Sequence, residues 1–180
     1  MFKKLIRKID RKLKGRPRKP DPLYAAGGLL MREFLEFQPS QYGILMRLLY
    51  LANLIHLGRY RTSLFLDPFE ARDMGPVVPR LMRDFFRDRP FCLDPIHATL
   101  LSNSMRECLL AACDLYREVG PEGVRAFLRR AESAWANAYM PENDREPPRR
   151  ISRAEILVEF SRIMVANGND HPERLVRQVS

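Results

Sequence analysis

The stretch QYGILMRLLYLANLIHL, residues 41–57, decides the fold. Wound as a helix, it puts Ile44, Leu45, Leu48, Leu49, Leu51, Ala52, Leu54 and Ile55 on nearly every face. A helix that is apolar all round is either a membrane span or a central element surrounded by others. The apolar run from Ile44 to Leu57 is 14 residues long and already contains Arg47, Asn53 and His56. A span takes about 20 mostly apolar residues. The stretch is therefore expected to be the buried hub of a helical domain.

Upstream of the hub, Leu23 to Gln38 predicts a first body helix, weakened by Gly27-Gly28. Pro39-Ser40 breaks it, and Ser40 is placed to cap the hub. Downstream, the helical period is lost from Gly58 to Pro79. Ser63 to Ala71 carries Leu64, Leu66 and Phe69 around Asp67-Pro68, which predicts a small strand or irregular ribbon. Gly75-Pro76 predicts a turn and a helix start, because Gly tolerates unusual backbone angles and Pro suits the first helical position. Residues 77–88 continue that helix with Val78, Leu81, Met82, Phe85 and Phe86.

The second half is helical by periodicity. Leu101, Met105, Cys108, Leu109, Ala112, Leu115, Tyr116 and Val119 form one stripe in 98–119. Val124, Phe127, Leu128, Ala131, Trp135 and Ala138 form another in 122–139. A polar, proline-rich loop covers 140–150, and Ser152 with Glu155 makes a capping box for a helix carrying Ile156, Phe160, Ile163 and Met164. A further short helix is expected from His171 to Val179. The expected fold is mainly α: a compact multi-helix domain around a central buried helix with a short β-ribbon or extended insert, plus an N-terminal basic amphipathic helix.

With 180 residues, 46% of them apolar, the chain suits one domain, or one domain with an appendage. The division expected is 1–22, a basic amphipathic helix and Pro-rich linker, and 23–180, the helical domain. Residues 1–20 hold ten bases and one acid, the whole of the net charge of +9, so the remainder balances 21 bases against 21 acids. An electrically balanced body argues against a nucleic-acid groove within it. Phe2, Leu5, Ile6, Ile9 and Leu13 face one way, and Lys3, Lys4, Arg7, Lys8, Arg11 and Lys12 fill the other side. This segment reads as a solvated tail or as a contact for a partner or an anionic surface, nucleic acid or lipid. No apolar run follows its charges as a secretory signal would require. Three cysteines without a CxxC argue for a reduced compartment, and the expected location is the cytoplasm.

No reactive constellation stands out, and no cofactor is expected. Cys92, His97, Cys108, Cys113, His56 and His171 match no metal-ligand spacing. Cys108 and Cys113 are turned about 140° apart on a helix, and His56 on the hub predicts a hydrogen-bonded core histidine. There is no G-x-S-x-G elbow, no Cys–His pair in a recognisable setting and no phosphate loop. Asp67, Glu70 and Asp73 lie near Arg59, Arg61 and Arg72, which predicts a salt-bridged loop. A pocket joining the three carboxylates to His56 would instead argue for an enzyme. The expectation is a protein without catalytic activity.

The blocks Leu49-Tyr50-Leu51-Ala52 with His56, Phe69-Glu70-Ala71, and Gly75-Pro76-Val77-Val78-Pro79 resemble the Panacea domain, the SocA-like antitoxin family of bacteria and phages, which includes phage-associated GepA-type proteins. The resemblance covers about residues 37–165, with Trp135 and Ile151 to Glu155 at suitable places. The family's aromatic pair beside the GPVVP turn is Arg72 and Met74 here. Ala131-Glu132-Ser133-Ala134 precedes Trp135 where the family has a Thr-His stretch. The resemblance implies an antitoxin that neutralises a cognate protein toxin encoded by an adjacent gene, or an adaptor that delivers a toxin to a Clp-type protease. The expected toxin-binding residues are Leu64, Phe69, Glu70, Arg72, Asp73, Met74, Gly75, Pro76, Val77 and Val78, which combine apolar anchors with a charged rim.

Overall fold

The computed structural model describes residues 21–33, 42–85, 99–140 and 147–166. The expectations for Ser40, for Cys92 and His97, for residues 1–20 with their six named bases, and for His171 to Val179 fall outside these residues. The fold is mainly α, with six helices and one small sheet among the described residues.

The hub is a helix, here α2, running Tyr42–Tyr60, preceded by α1 (Pro22–Glu33). Every residue from Leu48 to Gly58 is buried. Its two buried polar side chains are satisfied by the loop that follows. Asn53 Oδ1 accepts from the Leu64 amide at 2.9 Å, and His56 Nδ1 lies 2.8 Å from the Thr62 carbonyl. Because a carbonyl only accepts, Nδ1 carries the proton. His56 is thus the hydrogen-bonded core histidine that its place on the hub predicts.

Around the hub stand α1, α4 (Asn103–Arg129) and α6 (Arg153–Ala166). Helix α6 comes close to the hub at Gly58, where a Cβ would sit 2.3 Å from the Phe160 ring. We expect Gly58→Ala to destabilise the fold by about 1–3 kcal/mol through overpacking. Urea unfolding measures this, and Phe160→Leu in the same chain should recover part of the loss.

Helix starts follow their caps. Asp21 accepts from the Leu23 amide at 3.0 Å, and Ser102 accepts from Met105 at 3.2 Å. The capping box at α6 is complete: the Ser152 amide donates to Glu155 at 2.7 Å and the Glu155 amide to Ser152 at 3.1 Å. Helix α4 is broken at Gly120, whose φ is +70°, followed by Pro121. The expected boundary near 120 is therefore present.

Two expectations are corrected. Gly75-Pro76 does not start a helix. Gly75–Val77 is strand β2, paired antiparallel with β1 (Phe69–Arg72), and α3 runs Pro79–Phe85. Pro76 is tolerated because β2 is an edge strand, and Pro79 takes the first helical position instead. The stripe read over 122–139 is also two pieces. Ser133 is buried, and its hydroxyl accepts from Ala136 at 3.0 Å, which opens a separate short helix, α5 (Ala134–Ala138).

The sheet order is β2-β1-β3, with β3 at Arg150–Ile151. Arg72 pairs with Gly75 across a two-residue tip, Asp73-Met74, and Phe69 pairs with Ile151. Gly75 has φ +118°, a conformation that side chains rarely adopt, so the hairpin requires glycine there. No described helix is long and apolar enough to cross a membrane.

Candidate functional site

The ten residues singled out around the hairpin lie at different depths. Leu64, Phe69, Gly75, Pro76, Val77 and Val78 are buried. Phe69 meets Tyr50 of the hub edge-on at 5.2 Å and Phe65 at 5.5 Å, and the Val78 amide lies 3.5 Å from the Met46 sulfur. These six seat the hairpin on the core and present little surface. Glu70 and Arg72 are half-buried and ion-paired at 2.9 Å, while Asp73 and Met74 are exposed, Met74 by 45%.

Three side chains from α4, α5 and its C-cap hold the tip. The Trp135 indole donates to the Arg72 carbonyl at 3.0 Å, and the Tyr139 hydroxyl donates to the Asp73 carboxylate at 2.5 Å. Arg129 donates to the Asp73 carbonyl. Trp135 and Tyr139, one helical turn apart, stack at 4.5 Å with an 18° tilt, and the Arg129 guanidinium sits 5.2 Å over the indole. The tip is therefore fixed in place before any partner arrives.

A buried carboxylate supports α5 from below. Glu159 of α6 is 1% exposed and accepts from Tyr50 at 2.7 Å, the Ala134 amide at 3.2 Å and Arg130 at 2.9 Å. Burial pushes its carboxyl above the ordinary range, opposed chiefly by Arg130. The same burial, with Glu159 beside it, keeps the Tyr50 phenol protonated. One residue thereby joins α2, α5, α6 and the end of α4.

Each of the three acids of this loop has a partner other than His56, whose ring nitrogens lie by the Thr62 carbonyl and the Ser104 hydroxyl. Asp67 pairs with Arg80 at 2.7 Å, Glu70 with Arg72, and Asp73 with Tyr139. The loop is salt-bridged as expected, but for Asp67 the cation is Arg80, which also reaches Asp21 at 2.7 Å. Cys108 and Cys113 are both buried, and burial raises the Cys108 thiol to about 11, so it stays protonated at neutral pH. No three His, Cys, Asp or Glu gather to hold a metal among the described residues. A shallow apolar groove of about 500 Å³ lies on the outer face of α6, lined by Leu157, Val158, Ser161, Arg162, Val165 and Ala166. It is chemically plain, and the clamped tip is the better-built surface.

Sequence reading missed Arg129 and Tyr139. Their one local trace is spacing: Arg125 and Arg129, then Trp135 and Tyr139, are each four apart and share a helix face.

A family model described as antitoxin SocA-like, Panacea domain, matches residues 45–136, from the hub through the hairpin to Trp135. No curated protein and no solved structure matches the chain. The matched segment takes in most of the hub, the whole tip and two of the three side chains that hold it, and it spans more than half of the 180 residues. On that coverage, the chain belongs to the antitoxin SocA-like, Panacea-domain family.

Proposed function

We propose that this protein is an antitoxin that binds and neutralises a protein toxin encoded by an adjacent gene, acting in the cytoplasm by surface complementarity and contributing no reactive group. The carrying observation is the clamped hairpin tip, with Met74 exposed and Glu70, Arg72 and Asp73 around it. A surface already ordered in the free protein avoids the entropy of ordering on association. An apolar anchor inside a charged rim is the composition of an interface centre. Arg72 and Met74 stand where the family pattern has aromatic residues, so the chemistry of the tip is particular to this chain.

Co-expression with the product of the adjacent gene should restore growth and allow both proteins to be purified together. Absence of both rescue and co-purification would refute the reading. Met74→Ala is expected to weaken the complex about tenfold, the cost of truncating one interface anchor, as measured by calorimetry.

A second reading rests on the +9 charge concentrated in residues 1–20. That segment could recruit the body to nucleic acid, anionic lipid or an acidic partner, and delivery of the toxin to a Clp-type protease would use the same bound complex. Binding that disappears on deleting residues 1–20 and falls steeply with salt would support the tail. Toxin degradation that requires the antitoxin would support delivery over occlusion.

A further inference from the structure

We propose that the groove on the outer face of α6 is the seat of the chain's own residues 171–179, which turn back as an antiparallel helix and cover it with Leu175, Val176 and Val179. This seat is separate from the hairpin tip and does not depend on the antitoxin reading.

Helix α6 is apolar on two sides. Ile156, Phe160 and Ile163 are buried against the body. Leu157, Val158, Val165 and Ala166 line the groove on the opposite side, with Ser161 and Arg162 between them. Val158 is 48% exposed and Val165 75%. The Ser161 hydroxyl donates to the Leu157 carbonyl of its own helix at 2.9 Å, so it adds little polarity to the groove. Single exposed apolar residues are ordinary on a surface, whereas a row of them along a concavity marks a contact. A helix apolar on both faces calls for cover on both.

The place where the described chain stops selects the occupant. Helix α6 ends at Ala166, itself a wall of the groove, and residues 167–180 leave from that point. Gly168 suits a helix end, and Asp170 with Glu173 is spaced as a capping box around Pro172. Residues 167–170 then join the two helices, and antiparallel helix pairs are commonly joined by about 2–5 residues. Residues 171–179 as a helix span about 14 Å, as does the row from Leu157 to Ala166. Leu175, Val176 and Val179 share one face of that helix. An antiparallel return sets Val179 against Val158, and Leu175 with Val176 against Ser161, the short side chain in the middle of the row.

Charge chooses between the two ends of the chain. No acid lines the groove, and Arg162 donates to the Glu132 carbonyl at 3.4 Å but meets no carboxylate among the described residues. Residues 1–20, with ten bases and one acid, would bring like charge to it. Residues 167–180 balance Asp170 and Glu173 against Arg174 and Arg177, and so offer Arg162 an acid. The short link also holds this segment at an effective concentration on the order of millimolar.

Methyl NMR of the full chain tests the seat. Nuclear Overhauser contacts are expected between Val158 or Val165 and Leu175, Val176 or Val179, and a mixture of differently labelled chains should show that they arise within one chain. L175E/V179E should abolish them and speed amide exchange over residues 157–166 at least about tenfold, as uncovering a helix face does. An unchanged near-ultraviolet circular-dichroism band from Trp135 shows that this variant is folded. Contacts from the groove to Leu5, Ile9 or Leu13 would overturn the proposal in favour of the N-terminal segment. Contacts between chains would make the occupant a second copy and overturn it equally. So would an α6 whose exchange is indifferent to L175E/V179E.

Discussion

Glu159→Ala should cost the fold about 3–5 kcal/mol, the usual loss when one member of a buried ionic network is removed. The carboxylate accepts from Tyr50, Arg130 and the Ala134 amide. Tyr50 is fully buried, so its hydroxyl would be left without an acceptor, at about 1–3 kcal/mol. Arg130 is 23% exposed and can turn to water, which limits its share. Glu159→Gln should fall in between. Its carbonyl can still accept from Tyr50 and Ala134, but its amide then faces the Arg130 donors. Glu159→Leu combined with Tyr50→Phe should recover stability relative to Glu159→Leu alone, because no orphaned hydroxyl remains. Urea unfolding of the series measures each step. The pH dependence has a definite sign. The folded-state carboxyl is held above its unfolded value, so its contribution is complete below the unfolded pKa, about 4.3, and declines as pH rises through the folded value. The Gln variant should lose that slope.

Trp135→Ala is expected to cost a comparable amount, about 3–5 kcal/mol, for the loss of a large buried ring. The indole is 6% exposed, stacks on Tyr139, lies under Arg129 and bonds the Arg72 carbonyl. Its removal unmoors the tip as well as opening a cavity. Trp135→Phe separates the two effects. It retains most of the apolar area and gives up the N–H, so the fold should survive while amide exchange at the tip speeds up. Partner affinity should then drop by more than global stability does. If Trp135→Phe leaves tip exchange and affinity unchanged, the clamp has no part in recognition.

The hub was readable because its cause is local: a helix without a polar face can only be surrounded. The capping box at Ser152 and the buried His56 were readable for the same reason, since each depends on a few neighbouring residues. The hairpin was not. Gly75-Pro76 suits a helix start as well as an edge strand. What selects the strand is pairing with β1, itself paired at Phe69 with the distant Ile151. Trp135 continued the apolar stripe of 122–139, but the buried Ser133 hydroxyl offered the backbone a competing acceptor and began a new helix. The segment from Phe69 to Val78 could be singled out from its residue types, but not its depth. Six of the ten chosen residues face the core, and the side chains that hold the exposed ones stand 56 to 66 positions away in sequence.

We propose that this molecule works by presenting the clamped tip to a protein partner. Hydrogen exchange of the full chain, alone and saturated with the adjacent gene product, tests it most directly. New protection is expected over residues 72–76 and 129–139, with the outer face of α6 unchanged. Protection on α6 alone, with the tip exchanging as freely as in the unbound protein, would contradict it.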